Sequence, residues 1–388
     1  MSIVRTGLDR LPGSAFAKEL EGKRVGLLAH PASVNAELVH ALDVLRGMGI
    51  QPSILFGPEH GYAATAQDMD GVDGGELDGV RIVSLYGSSA ADLQPKQSDL
   101  KELDVVVVDL QDVGARYYTY VWTAAFMLRG AVRAGVKVLA LDRPNPLGGE
   151  VVEGRPQRPG YRSFVGLYDV AVRHGMTLGE ILTMVVQLER LPPEALTIVP
   201  MEGWSRSMYF DDTGLPWVLP SPNMPTLDTA IVYPGGCVIE GTTLSEARGT
   251  TRPFELLGAP HVDARAVSAL EIPGATLRAC AFEPTVRKHA QQICGGVQVH
   301  VTDRSAFRSY PAYLRLIAAM LAQAPEDVFP WRTQEYEYET NRPAIDLLTG
   351  GPEYRQRVNA GDPLDDYLAS DAEGAARFLE TRRPWLLY

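Results

Sequence analysis

Residues 104–114 read DVVVVDLQDVG. Four consecutive valines leave no polar face, so this stretch predicts a parallel strand buried on both sides. Polar residues resume immediately after it, with Asp109, Gln111 and Asp112. Shorter apolar runs rich in β-branched residues occupy 24–29, 53–56, 81–85 and 137–141, with helical spacing between them at 39–48 and 120–134. Gly49 and Gly135 follow the two helical segments, where a chain leaving a helix commonly needs left-handed backbone. Strand–helix alternation predicts βαβ units and an open parallel sheet covered on both faces.

Further along, Thr177 and Glu180 form a capping-box pattern at the start of a helix over 177–188, and 196–200 reads as another strand. Residues 214–226, GLPWVLPSPNMPT, hold four prolines. They predict a stiff, extended loop, because proline breaks helices and removes ladder donors from strands. Beyond residue 258 the texture changes to short strands at 276–282 and 296–302, a helix over 310–324 and the segment WRTQEYEYETNRPAIDLLTG at 331–350. The expected fold class is α/β: a Rossmann-like parallel-sheet domain over 1–258, followed by a smaller α+β C-terminal domain over 259–388.

The chain has 388 residues, with 36 Lys and Arg against 48 Asp and Glu, a formal charge of −12. An acidic chain with no basic block is a poor partner for nucleic acid or an anionic membrane surface. The three cysteines, Cys237, Cys280 and Cys294, show no C-x-x-C spacing, so neither a disulfide framework nor a structural zinc site is expected. No apolar run reaches the ~18 residues of a membrane span. The N-terminal MSIVRTGLDRLPGSAF lacks the pattern of a secretory leader. A cytoplasmic location is therefore expected, or an exported one if a leader precedes this sequence. GxGxxG, the P-loop, HExxH and GxSxG are all absent, so no nucleotide cofactor, no catalytic metal and no serine-hydrolase elbow is expected. No cofactor of any kind is expected.

In open parallel sheets, ligands bind beyond the carboxyl ends of the strands. The residues following the strands are Gly57-Pro58-Glu59-His60-Gly61, Tyr86-Gly87, Asp109 to Arg116-Tyr117-Tyr118, and Asp142-Arg143-Pro144-Asn145-Pro146. Carboxylates beside aromatics and arginines are the equipment of glycosidic bond cleavage, in which one carboxyl donates a proton and a second stabilises the anomeric centre, attacks it or activates water. Glu59 is the best acid candidate, and the competing reading is a helix-capping carboxylate. His60 orients Glu59, contacts ligand or is structural. Asp109 and Asp112 are rim ligands or turn residues, and Asp142-Arg143 is a ligand pair or a local ion pair. Arg116, Tyr118, Asn145 and the proline-flanked Asn223 complete the candidate binding set. A second cluster, from Glu240 through Glu246 to Arg248, sits among small residues that permit close approach of a ligand. The tyrosine-rich stretch around Glu337 either closes over the pocket or packs between domains.

GPEHG, SLYG, DLQDVGARYYTY, LDRPNPLGG, HGMTLGE, WVLPSPNMPT, YPGGCVIEGT and SEARGTTRPFELLGAP, in this order, resemble the exo-β-N-acetylmuramidase (NamZ-type) glycoside hydrolase family. The resemblance runs from about residue 24 to 262, with a weaker tail to about 350. It implies release of N-acetylmuramic acid from the non-reducing end of peptidoglycan fragments, so the expected partner is a peptidoglycan-derived saccharide or muropeptide. It also implies a pocket near the junction of the two domains. The family's GPEHG glutamate and histidine fall on Glu59 and His60, its EGT glutamate on Glu240, and its SEGRGT glutamate and arginine on Glu246 and Arg248. The family's EGTN and SEGRGT patterns become Thr243 and Ala247 here, which removes an amide and places a Cβ where glycine permits positive φ. The mechanism expected is protonation of the leaving oxygen by Glu59, with Glu240 or Glu246, or the substrate's own acetamido group, at the anomeric centre. Arg248, Arg116 or Arg143 would meet the lactyl carboxylate. The alternatives are a non-catalytic sugar-binding protein and a β-N-acetylhexosaminidase of other sugar preference.

Overall fold

The computed structural model describes residues 4–388, so the first three residues of the N-terminal stretch read above for a leader lie outside it. Among the described residues, seven strands form one sheet: β1 (Val25–Leu28), β2 (Ile54–Gly57), β3 (Gly75–Leu77), β4 (Val80–Ser84), β5 (Val105–Val108), β6 (Lys137–Leu141) and β7 (Leu196–Val199), in the order β3-β4-β2-β1-β5-β6-β7. All neighbours are parallel except β3 and β4. The valines of β5 explain the sheet's placement. Val105 and Val107 belong to the apolar core on one face, Val106 and Val108 to the core on the other. Each buried valine contributes about 1.5–3 kcal/mol relative to exposure.

Strand β3 had no sequence expectation. It exists because Asp78 (φ 52) and Gly79 (φ 80) form a two-residue turn with both residues left-handed, the hairpin connection that an Asp-Gly pair favours. The helix at Tyr120–Ala134 ends on Gly135 at φ 73. The helix at Leu178–Glu189 starts with the full Thr177–Glu180 capping box. The proline-rich 214–226 is extended loop and turn, without helix or strand.

The second sheet is antiparallel: β8 (Leu256–Ala259), β9 (Ala275–Phe282) and β10 (Cys294–Val301), with β10 central. The expected seam at 258/259 falls inside β8. The helix at Leu227–Gly236 packs on the helix at Ser309–Leu321 of the C-terminal region. The chain end returns to the large sheet: Tyr388 donates its hydroxyl to Asp142 (2.8 Å), and Arg382 donates to the carbonyl of His174 (2.9 Å). The two halves are thereby clasped around the carboxyl edge of the parallel sheet.

Candidate active site

The Gly57-Pro58-Glu59-His60-Gly61 turn leaves β2 at that edge. A Cβ on Gly57 would stand 2.4 Å from the Tyr62 nitrogen, so the chain folds back here only with glycine. His60 takes φ 68, and the amide of Gly61 bonds to the Pro58 carbonyl at 2.9 Å. This tight turn directs Glu59 inward, where its Oε2 accepts from the Thr119 hydroxyl at 2.6 Å. Glu59 lines a cavity of about 40 Å³ together with Tyr118, Asn223, Glu240, Arg248 and Glu337. That volume holds a few water molecules. His60 also lines the cavity, its Nδ1 held by the Ala66 carbonyl at 2.9 Å, and Asn223 donates to Gln67 at 2.8 Å. The Tyr118 hydroxyl is buried beside Ser221 and Tyr120 without completing a hydrogen bond to a described residue.

Arg248 organises the far wall. Its guanidinium reaches Glu240 at 2.5 Å, Glu246 at 3.1 Å and Asp68 at 3.5 Å. Tyr336 donates to the other oxygen of Glu240 at 2.8 Å, and Lys288 pairs with Glu246 at 2.8 Å. Burial pushes the Glu240 carboxyl up, against the opposing pull of Arg248. Glu246 and Asp68 are buried too, yet their cations overcome desolvation and hold both below the usual carboxylate range: Lys288 and Arg248 for Glu246, Arg248 and Arg287 for Asp68. Glu246 therefore supports Arg248 from behind and does not line the cavity. Ala247 adopts φ 60 despite its Cβ, a strain of about 1–3 kcal/mol. Thr243 faces a neighbouring groove, where its hydroxyl bonds to the Pro330 carbonyl at 3.3 Å.

Glu337 closes the cavity from the C-terminal half. It lies in a turn closed by reciprocal backbone bonds between Tyr336 and Glu339, with Glu337 at φ 50 and Tyr338 at φ 65. Two left-handed residues without glycine cost about 1–3 kcal/mol each, and such strain collects at functional sites. Oε2 of Glu337 accepts from the Tyr86 hydroxyl at 3.0 Å, and Tyr338 donates to the Gly87 carbonyl at 2.9 Å. Burial raises the Glu337 carboxyl well above its ordinary range, and the nearby Glu59 raises it further.

Six of the rim candidates lie outside the cavity. Asp109 and Arg143 form a buried ion pair at 2.5 and 2.8 Å. Asp112 accepts from the Gly114 amide at 2.7 Å and faces His174 at 3.4 Å. Arg116 donates to the carbonyls of Arg155, Val170 and Leu348. Asp142 is buried, pushed up to about 6 by desolvation, and accepts from Thr177, Gly179 and Tyr388. Asn145 bridges the Met176 carbonyl and the Leu147 amide. In this structure all six are paired with protein, because buried polar groups take the nearest partner the fold supplies. Conversely, Asp68 and Thr119 were not singled out in the sequence, and Tyr86 only as a residue following a strand, because the partners that give them a role lie 60 to 251 positions away.

Acid groups, hydroxyls and a buried guanidinium around one hollow at the junction of a doubly wound sheet and a smaller domain define a glycoside-hydrolase type of site. The chain belongs to the exo-β-N-acetylmuramidase NamZ family: the family's N-terminal model matches residues 25–228 and its C-terminal model residues 231–388. It is 40% identical over 392 aligned positions to the peptidoglycan β-N-acetylmuramidase NamZ of Bacillus subtilis (strain 168), covering 99% of this chain and 91% of that one. Crystal structures of two DUF1343 family proteins from Bacteroides fragilis NCTC 9343 share the fold. One has a TM-score of 0.84 at 30% identity over 99% of each chain. The other has a TM-score of 0.74 at 28% identity over 100% of this chain and 99% of that one.

Proposed function

We propose that this protein is an exo-β-N-acetylmuramidase that hydrolyses the terminal glycosidic bond of peptidoglycan fragments and releases N-acetylmuramic acid, with Glu59 as the carboxyl group acting on that bond. Membership of the family and the match to a named muramidase over nearly the whole chain support the activity. The observation that carries the site is the meeting of Glu59 with Glu240, Arg248 and Glu337 in one cavity.

Glu59 has one oxygen fixed by Thr119 and the other without a described partner, so it presents a single oxygen to the hollow. A proton delivered from there to the glycosidic oxygen is worth about 10²–10⁴ in rate. Asn223 and the free Tyr118 hydroxyl supply hydrogen bonds for sugar hydroxyl and amide groups. Arg248 lines the cavity and would be the cation to meet a lactyl carboxylate there. A cavity of about 40 Å³ is too small for a sugar ring, so a wall must move for substrate to bind.

The test is Glu59→Gln on 4-nitrophenyl β-N-acetylmuramide and on a panel of other β-glycosides. The expected result is turnover of the muramide by the unaltered enzyme in preference to other glycosides, and a fall of at least about 10²-fold in kcat for the variant. Near-normal turnover in a folded variant removes Glu59 from this role. Binding of muramic saccharides by the unaltered protein without hydrolysis removes the enzymatic reading.

A further inference from the structure

We propose that Glu337 is the second catalytic carboxyl group of this site, lining the same cavity as Glu59. The inference rests on the muramidase reading and names a residue that the motifs around Glu240 and Glu246 do not contain.

Three observations carry it. First, the two glutamates are held alike: Oε2 of Glu59 by the Thr119 hydroxyl (2.6 Å) and Oε2 of Glu337 by the Tyr86 hydroxyl (3.0 Å), while Oε1 of each has no hydrogen-bond partner among the described residues. Both side chains are more than nine-tenths buried and line the same hollow. Second, the other two glutamates are spent. Glu240 has Arg248 on one oxygen and Tyr336 on the other, and Glu246 is locked to Arg248 and Lys288. Third, the backbone that carries Glu337 is left-handed at Glu337 and Tyr338, a conformation that side chains other than glycine keep only when their surroundings enforce it. The floor and roof of the cavity thus each contribute one half-free carboxyl group.

The titratable groups around Glu337 are Glu59, Tyr86, Glu240, Asp68, Tyr336 and Tyr338, with His60 and the cation Arg248 on the same cavity. Burial and the neighbouring Glu59 both favour a proton on Glu337, which makes the two acids a proton-holding dyad. As the bond from the anomeric carbon to the leaving oxygen breaks, that oxygen keeps the electron pair and takes the proton of the dyad, leaving as an alcohol. Both carboxylates are then ionised and face the electron-poor anomeric carbon. Water adds there and returns one proton to the pair. One water is consumed, and the dyad ends as it began.

The experiment compares the unaltered enzyme, Glu59→Gln, Glu337→Gln and Tyr86→Phe on 4-nitrophenyl β-N-acetylmuramide across pH, with thermal melting of each. The expected result for Glu337→Gln is a loss of at least about 10²-fold in kcat with KM within about threefold and an unimpaired melt. The unaltered enzyme shows a two-limbed pH profile, of which the residual activity of Glu337→Gln keeps one limb. Tyr86→Phe removes the donor that favours ionised Glu337, so its alkaline limb moves to higher pH. If Glu337→Gln does not fold, this limb decides: moved, it supports the dyad, and unmoved, it overturns it. A Glu337→Gln enzyme within threefold of the unaltered kcat, with both limbs intact while Glu59→Gln is inactive, overturns the role of Glu337 and leaves the muramidase reading standing. An unaltered enzyme that does not cleave the muramide overturns both.

Discussion

Replacing Asp109 by Asn removes a negative charge from a place that water does not reach. Asp109 is fully buried and the Arg143 side chain is 5% exposed. Their two hydrogen bonds, at 2.5 and 2.8 Å, are the fork-to-fork arrangement in which guanidinium and carboxylate match best. After the substitution Arg143 keeps the Val34 carbonyl at 2.9 Å and no carboxylate, and the new amide presents N–H to N–H. Breaking one side of a buried pair destabilises by about 3–5 kcal/mol, because the charge left behind is uncompensated. At about 2–4 °C per kcal/mol for a domain of this size, the melting temperature should fall by roughly 6–20 °C. Circular dichroism melts give the shift, and steady-state kinetics below the transition give the activity of what remains folded. We expect KM and kcat on a chromogenic muramide within about threefold of the unaltered enzyme. A double replacement, Asp109→Leu with Arg143→Met, should recover much of the lost stability, since an apolar pair of similar volume removes both charges together. A melt within 2 °C of the unaltered protein, combined with a loss of activity above tenfold, would show that Asp109 and Arg143 hold substrate rather than each other.

Two further outcomes follow from the same contacts. Thr119→Val deletes the hydroxyl that fixes Glu59 at 2.6 Å. A hydrogen bond to a charged group is worth about 1.5–3 kcal/mol, so kcat on the muramide should fall by roughly 10–150-fold with little change in KM, and an unchanged kcat would mean that Glu59 needs no such anchor. Asp142 and Asp371 are each pushed up to about 6 by burial. Their folded-state values lie above the unfolded value near 3.9, so each binds its proton more tightly in the folded chain. The stability each contributes is full below about pH 4 and is lost as pH rises through about 6. For Asp371 the loss is roughly 3 kcal/mol. Asp371→Asn should therefore stabilise the protein at pH 8 and leave it nearly unchanged at pH 4, as read by urea unfolding at the two values. Equal shifts at both would exclude this origin.

Much of the architecture was legible along the chain because its causes are local. The valines of β5 are apolar on both faces, and only a strand buried between two layers tolerates that pattern. Thr177 and Glu180 cap a helix through bonds that span three residues. Gly57 and the left-handed His60 make the turn that lifts Glu59 off β2. Even Asp78-Gly79 carried its hairpin in two residues, although no strand was expected on its far side. Sterics, periodicity and capping act over a few positions, so a short window of sequence contains them.

The choice among the charged residues at the sheet edge was not local. Asp109, Asp142, Arg143 and Glu59 all follow strands and are equally placed for a ligand by that rule. Tertiary packing gave Asp109 to Arg143, and Asp142 to Thr177, Gly179 and a tyrosine at the far end of the chain, while it left one oxygen of Glu59 free. It also brought Glu337 and Arg248 over the turn after β2 from the other half of the molecule. The physical reason is that a buried charge is governed by whichever opposite charge or donor lies within a few ångströms, and that distance is unrelated to separation along the chain.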